Sequence, residues 1–142
     1  MAVITARPIV AGDAEGVALV SDDAISFWGG YDFKTGTIID VHHSLNGVSA
    51  AGRILAVPFS KGSSTTTAVL LEAVRAGTAP AAILTTGVDA FFALASIVAG
   101  MMYGTAFPVL ALEPADFGHL STGMRLTITA DGRIRESHGD PR

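Results

Sequence analysis

The sequence predicts an α/β domain, with a mixed sheet, helices on one side of it and an extra β layer. Strand and helix patterns alternate through the middle of the chain, which calls for parallel pairing with right-handed crossovers. Strand patterns alone cluster at both ends. The 142 residues suit one domain, 1–142, that buries its own core without staples, with residues 136–142 as a frayed tail.

In chain order, residues 7–10 and 15–20 read as strands around a turn at Gly12-Asp13. Residues 26–32 form a loop holding the only tryptophan, Trp28, beside Gly29 and Gly30. Those glycines would let backbone approach a ligand or partner closely. Lys34-Thr35-Gly36 reads as a turn, residues 37–41 as a short strand and residues 44–50 as loop. Residues 53–57 form an apolar strand. A helix over residues 66–76 ends at the stop signals Gly77 and Pro80. Residues 81–85 are a strand. Asp89 is a good N-cap for a helix running to about Met101, apolar almost all round, which implies burial on most sides. Residues 107–112 are a strand, and residues 124–129 and 133–136 a hairpin across Asp131-Gly132. Residues 90–112 carry no charge and are long enough to span a bilayer, but Gly100, Gly104 and Pro108 divide them into a buried helix, a turn and a buried strand.

Composition narrows the function. Hydrophobic residues make up 49% and charged residues 15%, against about 25% charged in typical soluble domains. So little charge leaves an apolar face, and such a face marks a partner site; an obligate subunit, or a domain that works docked on something else, is expected. The net charge is −4, with two lysines, Lys34 and Lys61. Without a basic stripe, nucleic-acid binding is not expected. Without cysteine, the chain can form no disulfide and ligate no cluster through thiolates of its own. The N-terminal residues lack the basic and apolar regions of a signal peptide, so a cytoplasmic location is expected, with no membrane association.

The run Pro58-Phe59-Ser60-Lys61-Gly62-Ser63-Ser64-Thr65 sits between an apolar strand and a helix. The first N–H groups of a helix have no partner inside it, and the helix dipole favours negative charge there. Such a turn suits a carboxylate or phosphate and can push a serine toward its alkoxide. The plainer reading makes Ser63 or Ser64 the helix N-cap. One cap needs one hydroxyl, however, and this turn offers several, with a lysine among them.

Other candidates are weaker. His42 and His43 adjoin; on a strand they would point to opposite faces, one to the core and one to solvent, which makes a poor metal pair. One of them could instead line a pocket as a hydrogen-bond donor. Asp40 would orient an imidazole or bond turn amides. Glu72 and Arg75 should pair on a helix surface, and Trp28 with Phe27 should anchor a core or an interface. No Ser–His–Asp signature, phosphate loop or dinucleotide fingerprint is present. An incomplete acid–base set fits a subunit that gives one catalytic group to a shared site.

Several stretches then combine: Ser26-Phe27-Trp28-Gly29-Gly30, Thr35-Gly36-Thr37-Ile38-Ile39-Asp40-Val41-His42-His43, Ala51-Gly52-Arg53-Ile54-Leu55, and the serine turn continuing through Leu70-Leu71-Glu72-Ala73-Val74-Arg75-Ala76-Gly77-Thr78-Ala79-Pro80-Ala81-Ala82. In these the chain resembles the small subunit of aconitase X enzymes, a stand-alone version of the aconitase swivel domain. The resemblance implies a swivelling β/β/α three-layer fold. It implies a tight complex with a large subunit that carries an iron or iron–sulfur centre, with no cofactor bound by this chain alone. It makes Ser63 the base that removes the substrate's Cα proton, with Gly62 and Ser64 forming the anion-binding turn. Lys61, Thr65 and His43 complete the expected substrate-binding set. Classical aconitases place an arginine where Thr65 stands, so a tricarboxylic acid should not be gripped in the same way. The resemblance implies dehydration of cis-3-hydroxy-L-proline to Δ1-pyrroline-2-carboxylate as in bacterial members, with 5-phosphomevalonate dehydration as the alternative; a non-catalytic anion-binding or interaction subunit is the further reading the residues allow.

Overall fold

A computed structural model describes residues 2–61 and 64–137. The elements are β1 (Ile4–Thr5), β2 (Arg7–Val10), β3 (Ala14–Val20), β4 (Tyr31–Asp32), β5 (Thr37–Ile38), β6 (Ile54–Ala56), α1 (Thr65–Ala76), β7 (Ala82–Thr85), α2 (Ala90–Tyr103), β8 (Val109–Ala111), α3 (Pro114–Phe117), β9 (Arg125–Ile128) and β10 (Arg133–Glu136). Eight strands join in the order β1-β10-β9-β3-β6-β7-β8-β2, while β4 and β5 form a separate ribbon.

The strands β3, β6, β7 and β8 are parallel neighbours, as the alternation of strand and helix requires. The terminal strands add antiparallel edges, β2 on β8 and β10 on both β9 and β1. Strand β3 serves two layers. Its residues 18–20 pair with β6, and its residues 14–17 pair with β9.

Two cores follow from this arrangement. Leu19, Leu55, Val57, Ile83 and Val109 face the helices, meeting Leu70, Ala73, Phe92 and Ala95, with Tyr31 and Ile38 from the β4–β5 ribbon. Ala18, Ile54, Ala56, Leu84 and Leu110 face the other way, meeting Ile4, Leu126, Ile128 and Ile134 of the terminal strands. Successive strand residues thus point into different cores, which is why the middle strands read as unbroken apolar runs. The layers are β, β and α, as the resemblance implied.

Both long helices end where the sequence signals place them. Gly77 adopts the left-handed conformation after α1, with φ of 77°, and Asp89 caps α2 by accepting from the Phe91 and Phe92 amides. Buried Ser96 clips α2 to the chain entering β8, its hydroxyl donating to the Phe107 carbonyl and accepting from the Phe107 amide. Among the described residues no helix is long and apolar enough to cross a membrane.

Several expectations are corrected. Helix α2 buries Phe92, Ala93, Ala95, Ser96 and Ala99, but leaves Leu94, Ile97, Met101 and Met102 exposed. It covers the sheet from one side, with α1 beside it, so only part of its circumference is packed. Phe27 is fully buried against Tyr31 and, edge-on, Phe92, whereas Trp28 is 71% exposed and anchors no core. A Cβ on Gly30 would lie 2.0 Å from the Ser26 carbonyl oxygen; the close approach is made by the chain's own turn. The strand expected over residues 37–41 stops at Ile38, because the chain turns there: Asp40 accepts the His42 amide through its side chain and the His43 amide through its carbonyl. Glu136, assigned by the sequence both to the hairpin and to the tail, belongs to the hairpin as the last residue of β10, and the Ser137 amide donates to the Arg125 carbonyl at 2.8 Å; residues 138–142 lie outside the described residues.

Tyr31 joins the ribbon to the end of α1. Its buried phenol donates to the Thr78 carbonyl at 2.7 Å, and burial pushes its pKa up. The unfolded phenol ionises near pH 10 (about 10), while the folded one stays protonated above that. Its contribution to stability is present below about pH 10 and is lost as pH climbs toward the folded value, by at most about 1.4 kcal/mol per pH unit. Tyr31→Phe should cost about 1 kcal/mol at neutral pH and should flatten this alkaline loss, as urea unfolding at neutral pH and at about pH 10.5 would measure.

Candidate functional site

Strands β3, β6 and β7 run parallel and in register, Val20 opposite Ala56 and Ala56 opposite Leu84, so their carboxyl ends share one edge. Sheets of this kind bind ligands outside that edge. Three loops leave it, their described residues being 21–25, 58–61 and 86–89. They are laced by backbone bonds: Ile25 N to Phe59 O at 3.2 Å, Lys61 N to Ile25 O at 2.7 Å and Thr86 N to Pro58 O at 3.2 Å.

Asp89 joins the second loop to the third. Its carboxylate is buried, at 8% exposure. Oδ1 accepts from the Phe91 and Phe92 amides, each at 3.1 Å. Oδ2 accepts from the Ser60 amide at 2.7 Å and the Ser60 hydroxyl at 2.8 Å. The cap was legible in sequence, but the link to Ser60, 29 positions away, was not.

The first loop is fixed by His43 and Asp23. His43 is 5% exposed. Its Nδ1 accepts from the Leu45 amide at 3.1 Å, so Nε2 carries the proton and donates to the Asp23 carbonyl at 3.2 Å. The Asp23 carboxylate accepts from the Ser44 amide at 3.0 Å. That bond holds the Asp23 carboxyl below the usual carboxylate range, with the Ser44 hydroxyl and the Lys61 charge acting in the same direction. Ser21 Oγ accepts from the Asp23 amide at 2.9 Å and pairs with Ser44 Oγ at 2.6 Å. Asp23 drew no notice in the sequence, although an acid pair, Asp22-Asp23, just past an apolar strand was the available signal.

Lys61, Ser64 and Thr65 lie exposed on the turn that opens α1. Ser64 occupies the cap position, but its hydroxyl makes no capping bond; its carbonyl accepts the Ala68 amide at 3.2 Å. Gly62 and Ser63 lie outside the described residues. His43 sits beside this edge with both ring nitrogens engaged, and His42 is exposed. Glu72 and Arg75 pair on the α1 surface at 2.7 Å. A 280 Å³ hollow bordered by Val74, Pro80 and Phe107 lies at the far end of α1, and no ionisable side chain lines it. Cysteine is absent from the sequence, and among the described residues no three His, Asp or Glu side chains converge as metal ligands. The residues present do not fit the ligand set of an iron–sulfur cluster.

Three layers with a polar helix-opening turn at the carboxyl edge define a swivelling β/β/α domain. A family model described as the aconitase X swivel domain matches residues 3–136, and the chain belongs to that family. It is 44% identical over 137 residues to the cis-3-hydroxy-L-proline dehydratase of Pseudomonas aeruginosa, covering 96% of this chain and 23% of that protein. It is 36% identical over 125 residues to the phosphomevalonate dehydratase small subunit of Thermococcus gammatolerans, covering 88% of this chain and 89% of that one. The crystal structure of Thermococcus kodakaraensis aconitase X in its holo form matches with a TM-score of 0.86 at 31% identity, covering 97% of this chain and 100% of that chain. The chain spans about a quarter of the length of the hydroxyproline dehydratase from Pseudomonas aeruginosa.

Replacing His43 by leucine would strip the Leu45 amide and the Asp23 carbonyl of their partners. His43→Leu should lower unfolding stability by about 2 kcal/mol, as read from the urea midpoint at constant m-value.

Proposed function

We propose that this chain is the swivel subunit of a hydro-lyase that converts cis-3-hydroxy-L-proline to Δ1-pyrroline-2-carboxylate, with Ser63 as the base. The observation that carries the reading is the 44% identity across 96% of this chain to a cis-3-hydroxy-L-proline dehydratase. In the proposed reaction the serine alkoxide takes the Cα proton, the C3–O bond breaks and the hydroxyl leaves as water with a proton supplied by an acid of the assembled site, and the resulting enamine tautomerises to the cyclic imine.

The chain's own part is to create a base and hold an anion. A serine hydroxyl is far too weak an acid to ionise unaided near neutral pH. The α1 N-terminus contributes up to about 2 kcal/mol in favourable geometry, little more than about one pKa unit. Lys61, partner cations and the exclusion of water must supply the rest. The proposed site is therefore completed by a large subunit, which would also carry the iron or iron–sulfur centre. Gly62, Ser64 and Thr65 are proposed to hold the substrate carboxylate. His43 is proposed to play a supporting role, since its Nε2 holds the neighbouring loop at Asp23 and its Nδ1 is engaged by the Leu45 amide.

A second reading, 5-phosphomevalonate dehydration, is favoured by the 36% identity that extends over 89% of an archaeal small subunit. The test is an assay of the chain co-expressed with its candidate large subunit. The wild-type complex should dehydrate cis-3-hydroxy-L-proline, the isolated chain should not, and Ser63→Ala should lower kcat by about 10²–10⁴-fold in an intact complex. Turnover of 5-phosphomevalonate alone would establish the second reading. Full turnover by Ser63→Ala would move the base to the large subunit.

A further inference from the structure

We infer that Asp89 is a positioning residue for the serine turn, beyond its role as the cap of α2; the inference rests on the proposed site. A helix cap needs one side-chain acceptor, and Oδ1 alone fills that need by accepting from Phe91 and Phe92. Oδ2 is spent on Ser60, taking both its amide and its hydroxyl. Bonds to an ionised acceptor are about twice as strong as neutral ones.

The far flank of the turn is tied to the same helix. Thr67, buried in the first turn of α1, donates its hydroxyl to the Phe91 carbonyl at 3.2 Å. The described residues Lys61, Ser64 and Thr65 thus lie between two ties to the opening of α2, at Ser60 and at Thr67. A third tie, Lys61 N to Ile25 O at 2.7 Å, runs to the loop after β3. Ser63 stands three positions after Ser60 in sequence, so releasing Ser60 releases the near end of the span that carries the proposed base. Small misplacements of a reacting group, on the order of 1 Å, cost about 10²-fold in rate.

Asp89→Ser separates the two roles, because serine caps helices well but is too short to reach Ser60. In the complex with the large subunit, Asp89→Ser should lower kcat by about tenfold or more with KM nearly constant. Hydrogen exchange should accelerate at residues 60–66 while the Phe91 and Phe92 amides stay protected. Asp89→Asn should not restore the rate, since its NH2 group would face the Ser60 amide. Ser60→Ala, which leaves the cap intact, carries the same two readouts should Asp89→Ser fail to fold. Wild-type kcat in Asp89→Ser, or unchanged exchange at residues 60–66, overturns the inference. Full activity in Ser63→Ala would instead sink the base reading, and exchange at residues 60–66 would then decide the anchoring by itself.

Discussion

The split pairing of β3 is the constraint on which the rest of the structure depends. One strand of seven residues gives half its length to a parallel partner and half to an antiparallel one. The two β layers are therefore continuous in hydrogen bonding, and the chain needs no separate device to hold one against the other. Apolar side chains from β6 and β7 can then be buried on both faces. The helices close one core and the terminal strands close the other. Because the crossovers lie on a single face, the loops at the carboxyl edge come from β3, β6 and β7 in neighbouring order, which brings residues 21–25, 58–61 and 86–89 together.

Polar groups at that edge are organised by the same proximity. Loop residues must satisfy their backbone donors without a ladder, and here side chains do the work: Asp23 for Ser44, His43 for Leu45, Asp89 for Ser60. Among the described residues no buried side-chain nitrogen or oxygen lacks a partner. The edge is well built but open, since the exposed Lys61, Ser64 and Thr65 face outward from it. That openness accords with membership of a family whose domain forms about a quarter of a longer dehydratase in Pseudomonas aeruginosa.

What could be read from sequence follows physical range. The strands β6 and β7 were plain because burial on both faces makes them unbroken apolar runs. The ends of α1 and α2 were plain because Gly77, Asp89 and Gly104 act within a few residues of themselves. Strand β1 escaped notice, being two residues long and defined by a partner some 130 positions away. Helix α3, with four residues, has no period to detect. The outer face of α2 was misjudged, and Trp28 was left open between core and interface, because an apolar side chain does not announce which neighbours will be present. At the site, the serine turn stood out by composition, whereas the bond from Asp89 to Ser60 is a product of the fold.

The exposed end of α2 also decides how this chain meets oxidants. It has no thiol to react, and Met101 and Met102 stand in solvent at 82% and 61% exposure. Peroxide would convert them to sulfoxides without disturbing either core, since neither side chain is packed. The apolar stripe they share with Leu94 and Ile97 would become polar at one end, so oxidation of this pair would alter the adhesiveness of the surface and leave the architecture standing.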